Sequence, residues 1–203
     1  MSRHWETVYT SKGDAELSWT QTEPTTSLAL IEDVGPAEAC SAGRVIDVGG
    51  GTSLLAQRLL ERGYAVTVLD IAQAAIDRAR RGLGARAGEV GWMVADVTAG
   101  PDLGTFDVWH DRAVFHFLTA SGDRAAYTAL LARTVPVGGH AVIATFALDG
   151  PEQCSGLEVR RYDGSALAAE LGPCFRLLKS VPEVHRTPWG AAQSFQYSLF
   201  ERV

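Results

Sequence analysis

The chain has 203 residues, 46% of them hydrophobic and 21% charged, which suits one globular domain with a sizeable core plus an extension. A formal net charge of -6 argues against nucleic acid as a partner, because phosphate binding wants a basic surface. Arg78, Arg80 and Arg81 do not reverse this; they read as the solvated end of a helix. Met1 to Thr10 is polar, so no secretory leader is expected. The apolar stretch from Ala141 to Leu148 is too short for a bilayer, so no membrane partner is expected. Cys40, Cys154 and Cys174 are too widely spaced for a disulfide framework or a zinc site. The expectation is a cytoplasmic protein with reduced thiols and no metal.

In chain order, residues 1–33 carry Trp5, Tyr9 and Trp19 and read as a helical extension or lid, with a helix near Thr26 to Asp33. Residues 34–203 then form the main domain. Strands are expected at Gly43–Val48, Tyr64–Leu69, Val90–Ala95, Phe106–Trp109 and His140–Phe146. Helices are expected at Ser53–Arg62, Ala72–Arg81 and Arg124–Arg133. A loop from Ala147 to Tyr162 precedes a helix near Gly164–Leu171 and two final strands, Phe175–Val184 and Gln193–Arg202. Alternating strands and helices mean βαβ units and a mostly parallel, doubly wound α/β sheet. No helix separates the last two strands, so they form an antiparallel hairpin.

The most informative stretch is Val45-Ile46-Asp47-Val48-Gly49-Gly50-Gly51-Thr52-Ser53. It reads as a strand, a tight turn and the start of a helix. Glycines let the backbone turn sharply and let a ligand approach without a Cβ in the way. A dinucleotide fingerprint needs G-x-G-x-x-G; here Leu54 stands where the third glycine belongs. A P-loop is excluded because no Gly-Lys-Ser/Thr follows. Ligands in open α/β sheets bind at the carboxyl ends of the parallel strands. The second strand ends at Asp70, one βα unit after the glycine turn, which is the position of a ribose-binding acid. The structural alternative is a cap for the following helix. Ile71 would then pack on an adenine face.

Asp47-x-Gly49-x-Gly51-x-Ser53 resembles motif I of class I S-adenosylmethionine-dependent methyltransferases, D/E-x-G-x-G-x-G, with serine replacing the last glycine. The resemblance implies a Rossmann-like sheet of order 3-2-1-4-5-7-6 with strand 7 antiparallel. It implies S-adenosylmethionine as cofactor and S-adenosylhomocysteine as product. Asp47, Gly49, Gly51, Asp70 and Ile71 would bind the cofactor. Asp96 would accept from the adenine amine and Val97 would offer its backbone N–H. Trp5 and Trp19 would cover the sulfonium, or simply anchor the extension.

The segment after the fourth strand, His110-Asp111-Arg112-Ala113-Val114-Phe115-His116-Phe117-Leu118, would border the methyl acceptor. His110 and Asp111 are the candidate catalytic pair, a histidine base suiting neutral pH. Arg112 is either an ion-pair partner or a ligand contact. His116 reads as a core histidine, with acceptor contact as its functional alternative. Together with His4-Trp5-Glu6-Thr7-Val8-Tyr9, Arg161-Tyr162 and Thr187-Pro188-Trp189-Gly190, this segment resembles a group of small bacterial methyltransferases related to eukaryotic protein-lysine methyltransferases. Arg161, Tyr162, His185 and Trp189 would wall the acceptor pocket. The expected reaction is methylation of a small molecule by in-line displacement. The alternatives are a protein-lysine acceptor and a non-catalytic module that only binds the cofactor.

Overall fold

A computed structural model describes residues 1–35 and 43–203. Cys40 lies outside the described residues. The chain opens with α1 (Ser2–Ser11), a 3-10 turn (Asp14–Glu16) and α2 (Thr25–Glu32). There follow β1 (Arg44–Val48), α3 (Leu55–Glu61), β2 (Ala65–Asp70), α4 (Gln73–Leu83), β3 (Gly91–Val94), β4 (Val108–Arg112), α5 (Ser121–Thr134) and β5 (His140–Phe146). A small hairpin, β6 (Gln153–Cys154) and β7 (Leu157–Glu158), interrupts the next connection. The chain ends with α6 (Gly164–Leu171), β8 (Phe175–Arg186) and β9 (Ala192–Arg202).

Seven strands form one sheet of order β3-β2-β1-β4-β5-β9-β8. The first five run parallel, and β9 pairs antiparallel with both β5 and β8. Counting sheet strands only, this is the expected order 3-2-1-4-5-7-6. The central strands are apolar runs because helices cover both faces. Side chains alternate between the faces, so adjacent residues of one strand feed different cores. Val45 packs with Leu28, Ile31, Leu55 and Leu59 from α2 and α3. Its neighbour Ile46 packs with Tyr127, Leu130 and Leu167 from α5 and α6. Edge strand β8 tolerates Pro182 because an edge need not donate on its free side. Among the described residues no helix is long and apolar enough to cross a membrane.

Three differences from the sequence expectation bear on the site. Residues 2–11 form a helix of their own, α1. Helix α2, assigned with the extension, buries Leu28, Leu30 and Ile31 in the main core. Strand β4, expected to end at Trp109, runs on to Arg112.

Candidate functional site

The β1–α3 turn is held tightly. The N–H of Gly49 donates to the Leu69 carbonyl at 2.7 Å. Gly49 and Gly51 have positive φ, 65° and 50°, where L side chains are strained. A Cβ on Gly49 would drive into the Val114 side chain, and one on Gly51 into the Tyr9 hydroxyl. Ser53 accepts from the Leu55 N–H at 3.1 Å, so its hydroxyl satisfies a free donor at the start of α3.

A cleft opens above the carboxyl ends of β1, β2 and β3. It holds about 970 Å³ of empty space, counting its open mouth. Gly49, Asp70, Ile71, Asp96 and Val97 line one end. Asp70 ends β2 and is only 4% exposed. Its Oδ1 accepts from the Ala72 N–H at 2.9 Å. Burial pushes its carboxyl up to about 6, although backbone donors at Ala72, Gly51 and Ile71 pull the other way. Asp96 uses one oxygen, Oδ1, for the N–H and hydroxyl of Thr98, at 2.8 and 2.7 Å. Apolar Ile71, Val97 and Leu118 line the cleft with these two acids.

Helix α1 roofs the cleft with Met1, Trp5 and Tyr9, joined by Trp19. Trp5 meets Trp19 and Phe117 edge-on, with ring centroids 5.7 and 5.0 Å apart. Tyr9 is buried beside Asp70, and both burial and that carboxylate raise its hydroxyl far above the usual range. Asp47 and Gly51 do not face this cleft directly. Asp47 braces the glycine turn from behind.

The extra length of β4 places His110 and Asp111 inside the sheet. His110 pairs in register with Asp47. Its Nδ1 lies 2.7 Å from Asp47 Oδ1, and its Nε2 lies 2.9 Å from the Ser27 hydroxyl. Asp111, fully buried, accepts from the Tyr127 hydroxyl at 2.6 Å and from the backbone N–H groups of Val114 and Phe115. Burial pushes its carboxyl up to about 6 against those donors. Neither side chain lines the cleft. A polar pair in mid-strand survives because each atom finds a partner, and those partners come from α2, β1 and α5.

The other end of the cleft is aromatic. Phe117, Phe146 and Phe195 line it, with Arg112, Cys154 and Gln193 as the polar groups. Burial pushes the Cys154 thiol up to about 11, so it stays protonated at neutral pH. His116 is fully buried between Phe117 and Phe146, and burial brings its imidazole down to about 3. His185 donates from Nε2 to the Ser18 carbonyl at 2.7 Å. Tyr162 is buried against Phe115, Arg161 pairs with Glu152 at 2.9 Å, and Trp189 is 59% exposed. None of these five residues lines the cleft. Sequence reasoning did not reach Phe146, Gln193 or Phe195. Phe146 ends β5, where the strand-end rule could have found it. Gln193 and Phe195 sit at the amino end of antiparallel β9, where that rule does not look.

Residues 45–139 match a family model described as a methyltransferase domain. That segment is a methyltransferase domain. No curated protein matches the sequence. Similar solved structures share the fold. One comes from work on converting a disulfide bond into a thioacetal group during echinomycin biosynthesis. It is 22% identical with a TM-score of 0.77, covering 100% of this chain and 93% of that one. Another is the 1,6-didemethyltoxoflavin-N1-methyltransferase of Burkholderia thailandensis, bound to 1,6-didemethyltoxoflavin and S-adenosylhomocysteine. It is 19% identical with a TM-score of 0.71, covering 100% and 84%. A third is the N-methyltransferase NodS of Bradyrhizobium japonicum with S-adenosylhomocysteine, 16% identical with a TM-score of 0.66, covering 88% and 84%.

The residues of the cleft fit S-adenosylmethionine, the cofactor that the motif I resemblance implies. The glycine cradle is one that any Cβ would fill. The buried carboxylate of Asp70 lines the cleft where ribose hydroxyls would reach it, and apolar Ile71 and Val97 line it beside Asp70 and Asp96. The cradle gives a first test. Gly49→Ala both forces a positive φ and overpacks Val114, a class of change that costs about 1–3 kcal/mol. At roughly 2–4 °C per kcal/mol for this chain length, the midpoint of thermal unfolding should fall measurably. Cofactor binding by calorimetry should fall with it. A variant with unaltered melting and binding would show that the turn has room to spare.

Proposed function

We propose that this chain methylates a small-molecule acceptor seated at the aromatic end of the cleft. The observation that carries the reading is the continuity of that end with the Asp70–Asp96 end under one roof, α1. Asp70 would hold the ribose hydroxyls, Ile71 and Val97 would flank the adenine, and Asp96 would accept from its amine. Trp5 and Trp19 would cover the sulfonium. Bound S-adenosylmethionine supplies an activated methyl group on that sulfonium. The protein's own part is to orient the acceptor and exclude water. The acceptor wall falls on Arg112, Phe117, Phe146, Cys154, Gln193 and Phe195. His110 and Asp111 act through others: His110 fixes Asp47 behind the glycine turn, and Asp111 fixes the Val114–Phe115 backbone. The 1,6-didemethyltoxoflavin-N1-methyltransferase of like fold, bound to its small acceptor, supports this reading.

Incubation with methyl-labelled S-adenosylmethionine and a cell extract separates the readings. Label in low-mass products is the expected result. Label in a protein band would give the acceptor role to a lysine side chain, as the subgroup resemblance implies. Tight cofactor binding with no labelled product would leave a binding module without catalysis.

A further inference from the structure

Arg112 makes less of its guanidinium than burial demands. Its Nε donates to the Tyr197 hydroxyl at 2.9 Å, and its Nη1 donates to the Trp19 carbonyl at 3.0 Å. Its plane stacks on Phe195, with the guanidinium carbon 4.4 Å from the ring centroid. Its Nη2 is buried and has no partner. Among the described residues no carboxylate lies within 4.0 Å of it; every other salt bridge in the structure is made elsewhere. A sheltered cation without a counter-charge is costly, and this one lines the cleft.

The charges around the cleft are unevenly placed. Asp70 and Asp96 close β2 and lead from β3 at the cofactor end. Asp123 opens α5, which packs on the 3-10 turn at Val97–Ala99 on that same side. The aromatic end has Arg112 and no acid. The imidazoles of His116 and His185 are held neutral there, first by burial and then by Arg112 itself. Flat rings and one guanidinium with a free N–H suit a planar molecule with a negative oxygen, because guanidinium binds carboxylate and other oxyanions by directed, charge-assisted hydrogen bonds.

Building on the small-molecule reading above, we infer that the methyl acceptor is a planar aromatic compound carrying an anionic oxygen, and that the Arg112 guanidinium is its receptor. A protonated amine would meet an unpaired cation at this end of the cleft. The competing anion is the methionyl carboxylate of the cofactor, because Arg112 also borders a smaller cavity beside Gly49, Gly50 and Ser53.

The experiment uses the full chain saturated with S-adenosylhomocysteine and reads quenching of tryptophan fluorescence, since Trp5 and Trp19 line the cleft. The probes are benzoate, salicylate and 2-naphthoate, each compared with its neutral amide and with the corresponding aryl methylamine. Among them, a carboxylate should bind at least about tenfold tighter than its amide, the amines should bind weakest, and Arg112→Met should erase the preference. The Met variant should change its affinity for S-adenosylhomocysteine and for 5′-methylthioadenosine by the same factor, because the lost hold on the Trp19 carbonyl bears on both, whereas a charge-assisted bond to the amino acid would cost the former alone tenfold or more. Equal binding of carboxylates and amides by the unaltered chain, or tightest binding of the amines, would overturn the inference without any variant. So would a tenfold loss of S-adenosylhomocysteine in Arg112→Met with 5′-methylthioadenosine, which lacks the amino acid, unaffected; Arg112 would then serve the cofactor. If the unaltered chain fails to bind S-adenosylhomocysteine at all, the cofactor reading underneath falls first, and the inference with it.

Discussion

Replacing Asp70 by alanine is expected to weaken binding of S-adenosylmethionine and S-adenosylhomocysteine at least tenfold while the fold survives. The side chain closes β2 at the floor of the cleft. Charge-assisted hydrogen bonds contribute about 1.5–3 kcal/mol each in net terms, and about 1.4 kcal/mol is a tenfold change in affinity. Alanine also deprives the Ala72 N–H of its acceptor, so Asp70→Asn is the cleaner companion. That variant carries a pH signature. Burial raises the Asp70 carboxyl from 3.8 to about 6 in the folded chain. A raised folded value means that the group's stabilising contribution is full below the unfolded value and is lost as pH rises through about 6. Without ligand, Asp70→Asn should therefore be more stable than the unaltered chain above pH 6, by up to about 3 kcal/mol from the size of the shift. Ribose hydroxyls need the ionised form as acceptor. Cofactor affinity of the unaltered chain should fall as pH drops below about 6, and the asparagine variant should show no such fall. Calorimetric titrations from pH 5 to 8 read both effects. Unchanged affinity in both variants would reduce Asp70 to a cap for α4.

Deleting residues 1–20 should leave a folded sheet and lower turnover by about a hundredfold, the scale on which lost positioning acts. Helix α1 lies on α4 through a few polar clasps. Glu6 accepts from the Ala74 N–H at 3.2 Å, and Arg78 reaches the carbonyls of Tyr9 and Lys12 and the carboxylate of Asp14. Val8, Tyr9 and Leu17 form a small apolar cluster with Ala72 and Ala75, apart from the two main cores. Trp5 and Trp19 touch the larger core only at its edge, so a roof attached this way can leave without emptying either core. Its loss strips Met1, Trp5, Tyr9 and Trp19 from the cleft and admits water to the reacting groups. Circular dichroism should retain the sheet signal. In the intact chain, added S-adenosylhomocysteine should slow proteolytic cleavage within residues 1–20. Equal cleavage with and without it, or full turnover by the truncated chain, would show that the roof is ornamental to catalysis.

The parts of the molecule legible in the sequence are those governed by local chemistry. Strand β5 and helix α6 have the expected bounds, His140–Phe146 and Gly164–Leu171, because an apolar run and an Asp163 cap mark them within a few residues. The glycine turn after β1 announces itself the same way, since only a tight, Cβ-free turn requires that composition. The end of β4 was not legible. His110, Asp111 and Arg112 look like a polar strand end, yet they continue the sheet because their partners arrive from far away in the chain. Ser27 is 83 residues from His110, and Tyr197 is 85 residues from Arg112. A buried polar group is tolerable only when satisfied, and one chain segment read alone cannot show who satisfies it. For the same reason the acceptor wall was hidden. Its members Phe146, Gln193 and Phe195 meet only because β9 lies antiparallel beside β5, which brings the start of one strand to the end of the other. Sequence chemistry by itself determined the strand–turn–helix alternation and the acids that follow it. Tertiary pairing decided which polar side chains face the cleft and which are spent holding the sheet together.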